Sequence, residues 1–350
     1  MKIIKVSSLS GSAEAIPAGG NFDGVYYFDA AFSQLEQIVV KQKTVLVTDE
    51  NVFESHRQLF GGWQTIVLPA GEQHKQQSTV DVIIKELIAK NAERNTFIVG
   101  VGGGVVTDIT GYAASIYMRG VKFAFVPTTI LSMVDASIGG KNGVDVGIYK
   151  NLVGLIKQPE FLLFDYDLLQ TLPTEQWTNG FAEIIKHACI KDAGLFDLLQ
   201  SESIENFKAD KTKLANLIEK NVQIKTAVVV NDEFEQGDRK LLNFGHTIGH
   251  AIENMYLLPH GHAVSIGMMA AAGISEAINK FPSEELKQLK ELLEKYHLPT
   301  QYNFDKTKIW EILKMDKKRA SNTMNFILLN KIGHAIIQQI EMNELENLIH

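Results

Sequence analysis

With 350 residues, 45% of them hydrophobic, the chain carries enough apolar material for a buried core and has a length suited to about two domains. Its 41 acidic and 34 basic side chains leave a net charge of −7, which gives no sign of a nucleic-acid binder and leaves room for a small anion held by local cations. The single cysteine, Cys189, excludes an intrachain disulfide, and neither the opening "MKIIKVSSLSGSAEAI" nor the histidine- and glycine-containing stretch 255–275 reads as a signal peptide or a membrane span, so a soluble cytoplasmic protein is expected.

The first half alternates short β-branched runs with helical patterns. The runs are "TVLVTD" (44–49), "QTIVLP" (64–69), "TFIVGVGGG" (96–104), "KFAFVPTT" (122–129) and "FLLFDY" (161–166). Between them, residues 78–91 place Val80, Ile83, Ile84, Leu87 and Ile88 at helical spacing. Apolar runs separated by helices predict a Rossmann-like, doubly wound parallel sheet over residues 1–166.

The loop "VGVGGGVVTD" ends a strand and opens a helix, where backbone N–H groups can approach a pyrophosphate. It departs from G-x-G-x-x-G because Val105 holds the last glycine's place, so a plain tight turn competes with a dinucleotide loop. Asp49 ends an earlier strand, and "PAGEQHK" puts Glu72 and Lys75 at the end of another. Polar groups at the ends of successive parallel strands favour a cofactor site over solvated loops.

From residue 167 to 350 the pattern becomes mainly α-helical, with long periodic stretches over 211–231, 245–255, 263–279 and 283–296. A late hairpin is expected with its turn near 330–333. "LNFGHTIGHAIENMYLLPHGHAV" concentrates His246, His250, His260 and His262. His246 and His250 are four apart and share a helix face, so spacing alone picks both as metal ligands. The glutamate of an H-E-x-x-H protease is absent, since Thr247 stands there. A catalytic zinc usually takes three protein ligands, and "GFAEIIKHA" (Glu183, Lys186, His187) and "HGHAV" offer candidates for the third. Cys189 lacks any zinc-ribbon spacing and reads as a buried thiol. Nucleotide loop plus metal suggests a metal-dependent polyol dehydrogenase. That reading leaves Lys141, Lys150, Lys186, Arg239 and Lys317 unexplained, and five cations in such motifs point to a phosphate and carboxylate pocket.

The set "VPTTILSMVDASIGGK", "GFAEIIKH", "DRKLLNFGHTIGHA" and "HGHAV", in order between Asp49 and Lys317, resembles the 3-dehydroquinate synthases of the sugar phosphate cyclase group. The resemblance implies a lyase of the shikimate pathway that turns 3-deoxy-D-arabino-heptulosonate 7-phosphate into 3-dehydroquinate and phosphate. It implies a Zn2+ or Co2+ shell of Glu183, His246 and His262, with His250 facing the substrate instead of the metal. NAD would meet Asp49, Asn51, Glu72, Lys75, Gly103, Gly104, Val105, Asp108, Thr128, Thr129 and Lys150, together with Leu168 to Thr171. The substrate would meet Arg119, Asp135, Lys141, Asn151, Lys186, Lys225, Arg239, Asn243, His250 and Lys317. A homodimer is implied too, with Arg119 reaching toward a neighbouring subunit. Two departures stand out: Asn142 where many relatives have threonine, and Tyr149 where they have glycine. A cyclase acting on another sugar phosphate and a dehydrogenase remain the competing functions.

Overall fold

The computed structural model describes residues 1–7, 16–17, 23–147, 149–303, 305–317 and 322–349. Among them the strands are β1 (Lys2–Ser7), β2 (Ile16–Pro17), β3 (Asp23–Phe28), β4 (Thr44–Asp49), β5 (Gln64–Leu68), β6 (Phe97–Gly102), β7 (Lys122–Pro127), β8 (Lys141–Val146), β9 (Tyr149–Ile156), β10 (Phe161–Phe164), β11 (Thr323–Lys331) and β12 (His334–Glu341). Six helices matter below: α1 (Gln77–Ala89), α2 (Gly104–Ile116), α3 (Thr174–Lys191), α4 (Lys211–Asn231), α5 (His246–Tyr256) and α6 (His260–Asn279). The chain divides into two compact units, Met1–Gln176 with Lys211–Phe234, and Trp177–Asp210 with Glu235–His350. Helix α4, which the sequence pattern groups with the second half, therefore belongs to the first unit.

The first unit is built on an eight-stranded sheet of order β2-β1-β3-β10-β7-β6-β4-β5. Strands β3, β10, β7, β6, β4 and β5 run parallel, and only β1 with β2 runs the other way. The five apolar runs read from the sequence become β4, β5, β6, β7 and β10. The central strands are apolar on both faces because both faces are covered: Val45, Leu46, Val47, Ile98, Val99 and Val101 are all buried. Each such side chain stabilises the fold by about 1.5–3 kcal/mol. Edge strand β5 alternates instead, with Ile66 and Leu68 buried and Val67 exposed. The chain leaves β4 for β5 on one side and returns through α1 to β6 on the other, so the loops after β4 and β6 flank the topological switch point. The antiparallel hairpin β8–β9 was not anticipated; it pairs Lys141 with Ile156 and Val144 with Val153.

In the second unit α3 is buried on every side from Trp177 to Ile190, as a central helix must be. Helices α5 and α6 follow, and the expected hairpin forms as β11–β12, pairing Leu329 with Ala335. The Leu329 amide donates to Ser275 Oγ at 2.9 Å and ties the hairpin to α6. Among the described residues no helix is long and apolar enough to cross a membrane.

Candidate functional site

In the first unit, polar groups gather at the C-terminal ends of the parallel strands. Gly103 caps the N-terminus of α2 without a side-chain hydrogen bond, so no side chain competes for the first-turn amides of Gly104 and Val105. Asp49, at the end of β4, caps the next short helix by accepting the Val52 amide at 3.0 Å; burial holds its carboxyl above the usual range. Thr128 directly follows β7, is buried, and its Oγ1 has no hydrogen-bond partner among the described residues. Thr129 is committed to Ser132, 2.9 Å away. Thr171 lies 2.7 Å from His56 Nε2, whereas the Leu168 side chain belongs to the apolar core with Leu163 and Phe32. Only the backbone of Leu168 can therefore serve a ligand. Asn51 is exposed on the short helix after β4.

Lys75 is the hub of this half. It is buried, ion-pairs with Asp108 at 2.5 Å and donates to Asn151 Oδ1 at 2.5 Å. Burial, the largest single influence, would lower its pKa, but the Asp108, Glu72 and Asp145 carboxylates together outweigh it and the net direction is up. Asn151 sits in the left-handed region at φ 53°, and its amide donates to Asp145 at 2.7 Å within the β8–β9 hairpin, while the Asp145 amide donates to the Lys75 carbonyl at 2.8 Å and ties the hairpin to the loop after β5. Lys150 lies 3.4 Å from Glu72. Lys225 on α4 is buried and pairs with Asp135 at 2.7 Å. Lys141 is exposed, as is Arg119, which stands with Met118 in a left-handed turn at φ 67° and 49°.

In the second unit three helices are locked together by close backbone approach. A side chain on Gly245, at φ 79°, would strike Met268 and the Val264 carbonyl, and one on Gly261 would lie 2.6 Å from the Asn179 carbonyl. The Gly261 amide donates to Asn179 Oδ1 at 3.0 Å. The N-terminus of α6 is thus docked on α3 one turn before Glu183, while α5 lies backbone-close to α6.

This docking aims three donor atoms at one point. Glu183 Oε1 is 3.5 Å from His246 Nε2 and 3.2 Å from His260 Nε2. Its other oxygen pairs with Lys186, and both partners are buried. His246 Nδ1 faces the Phe244 carbonyl at 3.1 Å, and His260 Nδ1 faces Glu253 Oε2 at 3.3 Å. Burial and the Lys186 cation push His246 down to about 3. Burial opposes the charge on His260 as well, but the Glu183 and Glu253 carboxylates outweigh it and push it up to about 10. Donors about 2.0–2.1 Å from a tetrahedral ion stand about 3.3 Å apart, so one carboxylate oxygen and two imidazole nitrogens at these separations fit Zn2+ or Co2+.

The structure thus brings Glu183 and His246 together with His260, where the resemblance implied His262. Helix α6 begins at His260, three residues before the expected start, and two residues further on a side chain has turned about 200° around the axis. His262 belongs to neither group of close donors that contains His260. His250, the i+4 partner that spacing favoured, has its ring 5.1 Å from His246 and 6.3 Å from His260, in a second group with Glu253. Arg239 is buried beside this cluster in sequence, and Asn243 donates to Glu235 at 2.5 Å. Lys317 ends the helix Lys306–Lys317, and its side chain lies outside the described residues. Sequence reasoning passed over Glu253 and Glu235; an acid three residues after His250, on the same helix face, was the available signal for the former.

Residues 65–179 match the 3-dehydroquinate synthase N-terminal family and residues 180–319 the 3-dehydroquinate synthase C-terminal family. The chain is 37% identical to the 3-dehydroquinate synthase of Sulfurovum sp. (strain NBC37-1) over 335 residues, 92% of this chain and 94% of that one. Among solved structures it resembles the 2-epi-5-epi-valiolone synthase of Streptomyces hygroscopicus subsp. jinggangensis 5008, which has NAD+ and Zn2+ bound. The TM-score is 0.85 at 26% identity, covering 97% and 98% of the two chains. A 2-deoxy-scyllo-inosose synthase complexed with carbaglucose-6-phosphate, NAD+ and Co2+ gives a TM-score of 0.80 at 25% identity, covering 94% and 97%.

Proposed function

Because the chain belongs to the 3-dehydroquinate synthase family, we propose that it converts 3-deoxy-D-arabino-heptulosonate 7-phosphate into 3-dehydroquinate and phosphate. The observation that carries the reading is the convergence of Glu183 Oε1 with His246 Nε2 and His260 Nε2. We assign the metal shell to Glu183, His246 and His260, in place of the set with His262, and NAD to the strand ends of the first unit. Bound NAD supplies a transient hydride acceptor, so the overall reaction is redox-neutral, and bound Zn2+ or Co2+ supplies the Lewis acidity that lowers a substrate hydroxyl's pKa.

The chain's own residues do the rest. Gly104 and Val105 offer helix-terminal amides to a pyrophosphate, and Thr128 offers an unused hydroxyl. Oxidation at C5 of the sugar acidifies the neighbouring C6 proton, and phosphate then leaves by elimination. Lys141, Lys186, Arg239, Asn243 and His250 are assigned to hold the two anionic ends, with Arg119, Asp135, Asn151, Lys225 and Lys317 completing the set. Desolvated cations bind phosphate and carboxylate strongly, and Lys186, Lys225 and Arg239 are buried. Ring opening and an intramolecular aldol step need the open-chain product held in one pose, which such a clamp provides. The same reading carries a homodimer acting in the cytoplasm.

The test compares His260→Ala with His262→Ala in metal content and in phosphate release from the heptulosonate phosphate. We expect His260→Ala to lose metal and turnover and His262→Ala to keep stoichiometric metal. The reverse result removes His260 from the shell. NADH accumulating on a simple polyol, with no phosphate release from the sugar phosphate, would replace the cyclase by a dehydrogenase.

A further inference from the structure

Glu253 is a buried carboxylate to which the reaction assigns no part. It sits on α5, one turn beyond His250, and is only 5% exposed. Burying an ionised carboxylate costs several kcal/mol unless it is paired and hydrogen-bonded, so a buried helix face holds one only where it has a partner. Its Oε2 lies 3.3 Å from His260 Nδ1, on the side of the ring away from Glu183, while His260 Nε2 lies 3.2 Å from Glu183 Oε1. His246 repeats the arrangement with a backbone acceptor: Nδ1 faces the Phe244 carbonyl at 3.1 Å and Nε2 faces Glu183.

Resting on the metal shell assigned above, we propose that Glu253 is the positioning residue of that shell: by accepting the Nδ1 proton of His260 it fixes the ring's tautomer and tilt so that Nε2 is the metal-binding atom. The two imidazoles need anchors of different kinds because their surroundings differ. His246 follows Gly245 and Phe244 at the start of α5, where a carbonyl not used by the helix is at hand. His260 opens α6 after Pro259, and its Nδ1 is met by a side chain from α5, the Glu253 carboxylate. A carboxylate does more than a carbonyl, since its negative charge also raises the basicity of the ligating nitrogen. His250, Glu253 and His260 also lie close enough to hold a cation of their own. The two arrangements exclude each other, because His260 Nδ1 cannot both donate to Glu253 and bind a second ion.

The test uses the full-length metal-free protein and titrates Zn2+ against a chelator and Co2+ by its visible absorption, for wild type, Glu253→Gln and Glu253→Ala. Wild type should bind one equivalent. Glu253→Ala should bind 10–100-fold more weakly with altered Co2+ bands, and Glu253→Gln, which keeps an acceptor oxygen but not the charge, should fall between. If the alanine variant does not fold, the near-isosteric glutamine variant decides, and a loss of at least threefold is the supporting result. Zn2+ affinity within twofold of wild type and unchanged Co2+ bands overturn the proposal, even if the metal-free variant melts earlier, because that pattern is a packing role. Two equivalents bound by wild type and one by the variants overturn it in favour of a second cation site. If His260→Ala abolishes binding while both Glu253 variants bind normally, only this inference fails; if His260→Ala retains binding, the shell itself has been misassigned.

Discussion

Gly111 and Asn142 form a steric pair whose cost can be worked out atom by atom. Gly111 lies on the buried face of α2, and a Cβ added there would stand 1.8 Å from Asn142 Oδ1 and 2.5 Å from its Cγ. Asn142 cannot simply swing away. It is 4% exposed, and its Nδ2 donates to the Gly140 carbonyl at 2.6 Å and the Lys157 carbonyl at 2.9 Å. Breaking both bonds strands the buried Asn142 amide group and leaves the Lys157 carbonyl without that donor, at about 1–3 kcal/mol each, while the Gly140 carbonyl keeps the Lys157 amide at 2.8 Å. Alanine in place of glycine returns at most about 1 kcal/mol of helix propensity. Gly111→Ala should therefore destabilise the first unit by about 2–3 kcal/mol, a fall in melting temperature of about 5–10 °C. Asn142→Ser removes the obstruction, so adding Gly111→Ala to it should cost almost nothing, a coupling of at least about 1 kcal/mol in the double-mutant cycle. Thermal melts of the four proteins by circular dichroism check this. An unchanged melting temperature for Gly111→Ala, or strictly additive effects, would refute the reasoning. Asn142 thus fills the space between α2 and the hairpin that carries Lys141.

Lys75→Met should cost about 3–5 kcal/mol, because it strands the Asp108 carboxylate in a buried position, and Lys75→Met/Asp108→Asn should recover at least half. Burial already raises the Asp108 pKa, and without Lys75 nothing adjacent opposes that rise as strongly. A carboxyl whose folded pKa exceeds its unfolded one loses stability as pH rises through the folded value, so the single variant's melting deficit should be larger at pH 8 than at pH 5. A deficit independent of pH would show that the pair is not the cause. Metal uptake by the metal-free protein at pH 7.5 should release one proton, from His260, whose pKa is pushed up to about 10; His246, pushed down to about 3, is already neutral. Release measured with an indicator dye should accompany an affinity that rises about tenfold per pH unit over this range, and zero protons would contradict the electrostatics of the cluster.

The parallel sheet was legible in the sequence because a strand buried on both faces must be apolar throughout, and "TVLVTD" and "FLLF" announce themselves by composition alone. The helix 211–231 was legible in its bounds, yet its membership was not, since periodicity shows that a face is buried and not what buries it. The hairpin β8–β9 escaped because its outer residues, Leu152 and Val153 among them, break the alternation of a half-buried strand. At the metal cluster the residue types were readable: one carboxylate, one lysine and four histidines in recognisable motifs. The choice of the third ligand was not, because His260 and His262 flank the same glycine and differ only in angle about a helix axis. That angle is set by where α6 begins and by Gly261 seating against Asn179, eighty-two positions earlier in the chain. Composition and spacing determined which chemistry this protein can carry; which atoms converge was decided by the close packing of α3, α5 and α6, a long-range steric fact that no local pattern encodes.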